Sequence, residues 1–384
     1  MDNRKRTMAF QEKSLEMKKI GIITYHYYYN YGTMLQAYAL QEAIDRTGAD
    51  ARLINFRKPY YIPTFWFRMK RIPAYLLDFK RVWRLMRFSR RLDQKICAFD
   101  TFALNYFKQS ETVYRVFDDF DKVDELYDLF VTGSDQTFSP KIGLNPCIFL
   151  DFVKDKDKKM AYAPSIGTVK FSMEELEEFK TYINKYKYLS CREASGAEFM
   201  QKLTGKNVET VLDPTFLLNK DDWSKIASKP IINEPYIFCY FLGYRKHYDG
   251  VVKYLQKKTG YKVFYIPIDY HDMVTSKELL FDCGPAEWLS LIKNAAVICT
   301  DSFHGMCFSI NFQKDFYVLN KCVGGINSGD NSRIYDLLNR IGLLDRFVDV
   351  DTKIEFCHVD YLKPNELLQE ESLKSIAYLN KILS

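Results

Sequence analysis

The 384-residue sequence predicts an α/β fold of two doubly wound domains that face one another across a central cleft. Its length and its 47% hydrophobic residues are sufficient for two separate cores. Short apolar runs alternate with helical patterns along the chain, which is typical of βαβ units and parallel sheets. The alternation pauses at "SKPIINEP" and then begins again, so we place the domain boundary at residue 228.

The N-terminal domain is predicted over residues 18–228, after a flexible extension at residues 1–17. Its first unit comprises the strand "KKIGIITY", the loop "HYYYNYG", a helix that ends before Gly48, and the strand "ARLINF". Further strands are predicted in "YDLFVTG", "KKMAYAP", "YKYLSC" and "NVETVL". Strand, helix and strand in this order form a βαβ unit, which implies a parallel sheet.

The C-terminal domain is predicted over residues 229–364 and repeats the same alternation. Its strands are expected in "YIFCYFL", "YKVFYIPI", "AVICTDS" and "DFYVLN", with helices between them. Residues 365–384 are predicted to form a terminal helix.

A basic segment interrupts the first domain at about residues 60–110. Between Phe65 and Lys95 it carries ten Lys and Arg residues against two Asp residues, interleaved with aromatic and aliphatic side chains. One interpretation is an inserted helical hairpin with a solvated basic face. The other is that residues 65–95 dock on an anionic membrane or a lipid-linked substrate.

Composition and absent motifs exclude several classes of protein. The net charge of +6 is modest, which favours acidic small ligands over nucleic acid. The nine cysteines are scattered without a CxxC pair, so we expect reduced thiols, no metal site and a cytoplasmic protein. The N-terminus lacks the apolar stretch of a signal peptide, and GxGxxG, GxxxxGK[ST], HExxH and GxSxG are all absent.

The stretch "AAVICTDSFHGMCFSI" places a histidine where a strand gives way to a helix. Asp301 or Ser302 is expected to cap that helix, which puts His304 in its first turn. Free backbone N–H groups and the positive end of the helix dipole make such a turn an anion site. Gly305 is expected to let a ligand approach closely, and a histidine there is suited to proton transfer.

Other polar turns are expected to reach the same cleft, because ligands of doubly wound sheets bind beyond the carboxyl ends of the strands. The two arginines are the candidates for bidentate contacts to phosphate or carboxylate. The turn candidates are Asn30, Gly32, Ser134 and Asp135, and the arginines are Arg192 and Arg333.

The sequence resembles the polysaccharide pyruvyl transferase family from about Lys18 to Arg346. The resemblance rests on "YNYGTMLQAYALQ", "DLFVTGSDQTF", "KKMAYAPSIGT", "LSCREASG", "VLDPTFLL" and "GPAEWLSLIKNAAVICTDSFHGMCFSI" in this order. It implies two Rossmann-like domains arranged as in GT-B glycosyltransferases. It also implies transfer of a pyruvyl group from phosphoenolpyruvate to two hydroxyls of a sugar, as a cyclic ketal, during synthesis of capsule or exopolysaccharide.

That chemistry assigns expected roles to the candidate residues. His304 would protonate the enol carbon of phosphoenolpyruvate, and Asp135 would take the proton of the attacking sugar hydroxyl. The donor is expected to contact Arg192, Arg333, Ser302 and Gly305. The acceptor, a sugar or a lipid-linked oligosaccharide, is expected near Asn30, Gly32, Ser134 and Asp301, with phosphoenolpyruvate as co-substrate and no resident cofactor.

One position departs from the family pattern. Better-studied branches carry an arginine two residues before the histidine, in a pattern like S-R-L-H, where this chain has Ser302. That arginine helps to hold the anionic groups of the donor, so Arg192 or Arg333 would have to substitute for it, or this branch uses another donor.

Two other functions fit the same sequence. The first is a glycosyltransferase that uses a nucleotide-sugar on the same architecture, since fold does not fix function. The second is a non-catalytic component of a polysaccharide assembly complex, for which the basic segment would be the working surface. Under the membrane-docking interpretation, the cytoplasmic protein would be peripheral at the inner face of the membrane.

Overall fold

Two parallel sheets form the centre of the protein, one in each half of the chain. The structure is a computed structural model that describes residues 17–56, 79–115, 120, 122–167, 170–243, 245–267, 280, 282–323, 326–327, 331–349 and 354–384. The strands of the first sheet fall between residues 19 and 210, and those of the second between residues 236 and 348. The two sheets thus lie on either side of the boundary expected at residue 228.

The N-terminal half begins with the predicted βαβ unit. Its strands are β1 (Lys19–Ile23), β2 (Asp50–Leu53), β3 (Leu129–Thr132), β4 (Lys159–Ala161), β5 (Leu189–Cys191) and β6 (Val208–Thr210). Its helices are α1 (Tyr31–Asp45), α2 (Phe79–Tyr106), α3 (Met173–Ile183), α4 (Ala194–Thr204) and α5 (Lys220–Ile226). Parallel pairing gives the order β2-β1-β3-β4, and a parallel bridge between Met160 and Tyr188 adds the pair β5-β6.

The C-terminal half repeats the arrangement. Its strands are β7 (Tyr236–Tyr240), β8 (Lys262–Tyr265), β9 (Val297–Thr300), β10 (Asp315–Leu319), β11 (Cys322–Val323), β12 (Ile326–Asn327) and β13 (Phe347–Val348). Its helices are α6 (Asp249–Thr259), α7 (Pro285–Asn294), α8 (Phe303–Asn311), α9 (Ser332–Arg340) and α10 (Leu362–Leu383). The parallel order is β13-β10-β9-β7-β8, and β11 and β12 form a separate antiparallel pair.

Each sheet has a point at which the winding direction reverses. In the first sheet the chain runs from β1 outward to β2 and then returns to β3 on the other side of β1. In the second sheet it runs from β7 to β8 and returns to β9. Such switch points open a crevice at the carboxyl ends of the strands, where ligands of these folds bind.

Helix α1 joins the two halves through its first turn. The Tyr31 ring stacks on Trp288 of α7 with centroids 5.4 Å apart, and its hydroxyl donates to the Cys283 carbonyl at 2.9 Å. The same core cluster contains Phe99 of α2 and Phe308 of α8, both fully buried. The start of α1 is therefore fixed against the second half of the chain.

The basic segment is described only in its second part. Residues 57–78 lie outside the described residues, and residues 79–106 form the helix α2. Phe99 and Phe102 of α2 are buried in the core, whereas Arg91 lies 3.6 Å from Asp282 as an ion pair. Within the described residues, no helix has the length and apolar character needed to cross a membrane.

The C-terminal helix α10 crosses back to the N-terminal sheet. Its residues Tyr378, Leu379 and Ile382 are buried in one cluster with Ile20 and Leu40 of the first half. The Tyr378 hydroxyl donates to the Ala161 carbonyl of β4 at 2.9 Å. The core of the N-terminal domain is therefore completed by residues from the other end of the chain.

Removing one hydroxyl tests this docking. Tyr378→Phe is expected to lower the free energy of unfolding by about 1 kcal/mol, the usual net value of one hydrogen bond. The Ala161 carbonyl keeps a second donor, Ser190 Oγ at 2.8 Å, so no buried acceptor is left unpaired. Urea unfolding measures the change, with the half-exposed Tyr335→Phe as a control expected to stay within about 0.5 kcal/mol. Equal unfolding free energies for Tyr378→Phe and wild type would contradict the docking.

Candidate functional site

His304 lies in the first turn of α8, directly beyond the carboxyl end of β9. Ser302 is the N-cap of α8, and its Oγ accepts a hydrogen bond from the Gly305 N–H at 3.3 Å. The cap forms because Ser302 has extended backbone angles and a short side-chain oxygen that satisfies a free N–H of the first turn. His304 is 8% exposed, so the fold holds its imidazole inside the protein.

Gly32 of α1 lies directly against His304. A Cβ atom at Gly32 would lie 2.1 Å from His304 Nδ1 and 2.3 Å from its Cγ. Asn30 caps α1 by accepting from the Thr33 N–H at 3.2 Å, so the helix begins two residues before Thr33. The sequence placed Gly32 in a polar turn at the cleft; in the structure its missing side chain makes room for the imidazole.

A buried carboxylate, Asp213, connects His304 to the other candidates. Asp213 Oδ2 accepts from Arg192 Nη1 at 2.7 Å and from Ser134 Oγ at 3.1 Å, and it lies 3.5 Å from His304 Nε2. Its other oxygen, Oδ1, accepts from the backbone N–H and the hydroxyl of Thr215 at 3.0 and 2.8 Å. Asp213 follows β6, within "VLDPTFLL", and no role was predicted for it from the sequence, although the motif contributed to the resemblance.

The charged neighbours of Asp213 determine the protonation state of its carboxyl group. Burial alone would raise the pKa of the Asp213 carboxyl, but His304, Arg192 and the Thr215 N–H together hold it well below its usual range. Burial likewise opposes the charge on Arg192, and the carboxylates of Asp213, Glu193 and Asp135 nevertheless raise its pKa. Asp213 is therefore ionised and Arg192 is a cation over the whole physiological pH range.

Arg192 keeps two buried donors unused. Its residue is 4% exposed, and neither Nε nor Nη2 has a hydrogen-bond partner. The guanidinium lies over the Phe303 ring, with its carbon 4.1 Å from the ring centroid. Since an unpaired buried donor is costly, these nitrogens indicate a place for an acceptor that the protein itself does not supply.

Arg333 approaches the same aromatic ring from α9. Its guanidinium carbon is 5.9 Å from the Phe303 centroid. With the Gln136 amide oriented so that its oxygen faces Arg333, that oxygen accepts from Nη2 and Nη1 at 2.8 and 2.9 Å. The two arginines predicted from the sequence thus converge on the residue that precedes His304.

Asp135 lies at the switch point of the first sheet. Thr33 Oγ1 donates to its Oδ2 at 2.7 Å, and the Gln136 N–H donates to its Oδ1 at 2.9 Å. Its φ of 71° is in the left-handed region, which Asp tolerates better than most residues. The carboxylate is partly exposed and is linked through Thr33 to the turn that contacts His304.

Three predicted residues have structural partners of their own. Asp301 accepts from the N–H groups of Leu242 and Gly243, both at 2.6 Å, and from the Tyr248 hydroxyl at 2.8 Å. A Cβ at Gly305 would lie 2.4 Å from Thr300 Oγ1, so its missing side chain allows α8 to pack on β9. Ser302 is engaged as the helix cap described above, and the ligand contacts expected of all three residues stay predictions.

Fold and site define a two-domain α/β protein with a buried site of paired charges where its two halves meet. The family model for polysaccharide pyruvyl transferase matches residues 30–320, which include every residue of this site except Arg333. The chain belongs to the polysaccharide pyruvyl transferase family. Because it belongs to this family, the protein is assigned to the transferases.

Solved structures are similar in fold at low sequence identity. A protein from Listeria monocytogenes described as a UDP-N-acetylglucosamine 2-epimerase aligns over 94% of this chain and 90% of that chain, with a TM-score of 0.50 and 10% identity. The UDP-GlcNAc 2-epimerase of Methanocaldococcus jannaschii aligns over 94% and 92%, with a TM-score of 0.47 and 11% identity. The predicted fold of two Rossmann-like, GT-B-like domains is confirmed. No curated protein matches the chain.

Proposed function

We propose that this protein transfers a pyruvyl group from phosphoenolpyruvate to two hydroxyls of a sugar, forming a cyclic ketal and releasing phosphate. Membership of the family supports a transferase acting in polysaccharide synthesis. The observation that supports an anionic donor at this site is that two buried nitrogens of Arg192, Nε and Nη2, have no hydrogen-bond partner. The acceptor we propose is a sugar of a cell-surface polysaccharide, free or lipid-linked.

Phosphoenolpyruvate offers hydrogen-bond acceptors for the two Arg192 nitrogens that have none. It carries a carboxylate and a phosphate, and the Nε and Nη2 edge of a guanidinium matches two oxygens of either group. Arg192 is already held at its Nη1 by Asp213, so its orientation is fixed before a ligand arrives. Arg333, whose guanidinium carbon is 5.9 Å from the Phe303 centroid, would supply a second cation, and together the two arginines would compensate for the serine at position 302.

We assign proton transfer to His304 and Asp135, acting on opposite sides of the donor. Addition of the first sugar hydroxyl to C2 of phosphoenolpyruvate requires a proton at C3, which His304 would deliver. Asp135 would accept the hydroxyl proton. The second hydroxyl then displaces phosphate at C2, closing the ketal, and its proton leaves with the phosphate.

The burial of the site would also protect a reaction intermediate that water hydrolyses. His304 and Arg192 are both more than nine-tenths buried, and the first turn of α1 covers the imidazole. Exclusion of water protects a reactive oxocarbenium-like centre and strengthens the electrostatic contacts around it.

Thermal unfolding with candidate donors tests the proposal. A ligand that binds only the folded protein raises its melting temperature, by about 2.7 kcal/mol of stabilisation at a hundredfold excess over Kd. Phosphoenolpyruvate is expected to raise the melting temperature of the wild type and not that of Arg192→Ala. The half-exposed Arg52, paired with Asp50 on β2, provides the matched control Arg52→Ala, which should keep the shift.

The same measurement separates the other two functions. Stabilisation by UDP or GDP and not by phosphoenolpyruvate would favour a nucleotide-sugar glycosyltransferase and overturn the proposal. Stabilisation by none of the three would favour a non-catalytic role. The alternative surface for that role is residues 65–95, of which residues 65–78 lie outside the described residues and the rest belong to α2. Its contact with an anionic membrane stays a prediction.

A further inference from the structure

We propose that Asp213 is the positioning residue of the site, because a single carboxylate oxygen holds the donor-binding arginine and faces the ring of the proton-transferring histidine. This inference rests on the proposed function for its catalytic meaning. Its structural content, the orientation of Arg192 and His304, does not depend on the identity of the donor.

The two oxygens of Asp213 have different tasks. Oδ1 is fully engaged by Thr215, whose N–H and hydroxyl both donate to it. That anchoring fixes the plane of the carboxylate at the start of the short helix Pro214–Phe216. Oδ2 is left to face the site, where it meets Arg192, Ser134 and His304.

The position of Oδ2 decides which edge of Arg192 is available. Nη1 is bound to Asp213 at 2.7 Å, and the remaining nitrogens, Nε and Nη2, lie on the edge that makes no hydrogen bond, with the Glu193 carboxylate 4.0 Å from Nε. Without the carboxylate the guanidinium would be free to turn about its long side chain. Asp213 therefore presents the bidentate edge of Arg192 to an incoming anion.

The same oxygen selects the tautomer of His304. Nε2 is 3.5 Å from Asp213 Oδ2 and makes no hydrogen bond in this geometry, but the charge of an ionised carboxylate favours a proton on the ring nitrogen nearest to it. The hydrogen then resides on Nε2, and Nδ1 keeps its lone pair on the side of Gly32. Asp213 is buried completely and held in its ionised form, so it keeps this bias without solvent screening.

Nitrogen NMR of histidine-labelled protein tests the tautomer directly. The chain has only five histidines, and His304→Gln assigns the resonance of interest. In the wild type, at a pH where the ring is neutral, we expect the His304 signals of the Nε2–H form. In Asp213→Asn we expect a mixture of both tautomers. A wild-type Nδ1–H form, or an unchanged tautomer in a folded Asp213→Asn, would overturn the proposal, and the first outcome needs no variant to fold.

Kinetics provide the second readout, with Asp50→Asn as the matched control. It makes the same change in a carboxylate that pairs with an arginine, Arg52, at the start of β2 and outside the site. Asp213→Asn is expected to raise the KM for phosphoenolpyruvate and to lower kcat, with a combined loss of about 10²-fold or more in kcat/KM. Asp50→Asn should leave kcat/KM at the wild-type value. Equal losses of kcat/KM in the two variants would contradict the positioning role. A wild type that does not turn over phosphoenolpyruvate would contradict the proposed function, but it would not affect the tautomer result.

Discussion

Gly32→Ala is expected to lower turnover by about 10²-fold or more while leaving the protein folded. A Cβ at this position would lie 2.1 Å from His304 Nδ1, far inside van der Waals contact. The imidazole must therefore move. Both its position relative to Asp213 and its proposed orientation toward the donor are then lost. Phosphate release from phosphoenolpyruvate, assayed with a panel of sugar glycosides as acceptors, measures the effect.

Gly250→Ala is the control for this change. Gly250 also lies in the first turn of a helix, α6, and a Cβ there would meet nothing within 4 Å. Alanine is favoured over glycine in a helix by about 1 kcal/mol, so Gly250→Ala should keep wild-type activity and equal or higher stability. Wild-type turnover in Gly32→Ala would show that the close contact between α1 and His304 has no role in catalysis.

His304→Gln is expected to reduce kcat by about 10²–10⁴-fold, the usual contribution of a positioned acid or base. The proposed donor contacts lie on Arg192 and Arg333, so the rise in melting temperature with phosphoenolpyruvate should persist. This separation of binding from turnover is the signature of a residue that acts in the chemical step.

The matched control for His304 is His358→Gln. The His358 side chain is 83% exposed and its Nδ1 pairs with Asp315 at 2.6 Å, on the outside of the second half of the chain. Its kcat should equal that of the wild type. A variant at His304 that turns over at the wild-type rate would remove the histidine from the mechanism.

The fold could be predicted from the sequence because its signals are local. Apolar runs that end in small or polar residues mark β1, β3, β7 and β9, and the helices between them carry their own stop signals, such as Gly205 and Gly260 in left-handed conformation after α4 and α6. Residue patterns within a few positions of one another determine each of these elements.

The site could be predicted only in part, because its decisive contacts join distant parts of the chain. His304 and Arg192 carry signals of their own, a histidine in a helix start and an arginine after a buried strand. Asp213 precedes a proline, a sequence context that is common in turns and does not indicate a site. The contacts that distinguish it come from positions 134, 192 and 304. Likewise, Gly32 resembled a loop glycine until its neighbour, 272 residues further along, was known.

The return of α10 to the first sheet has a consequence for how the protein is made. Ribosomes produce the N-terminal half first, at about 5–20 residues per second. Ile20 and Leu40 nevertheless share their core cluster with Tyr378, Leu379 and Ile382, which are synthesised after the whole second half. The N-terminal domain therefore has an uncovered apolar surface until α10 has been synthesised. It reaches its final packing only after the second half of the chain has been made.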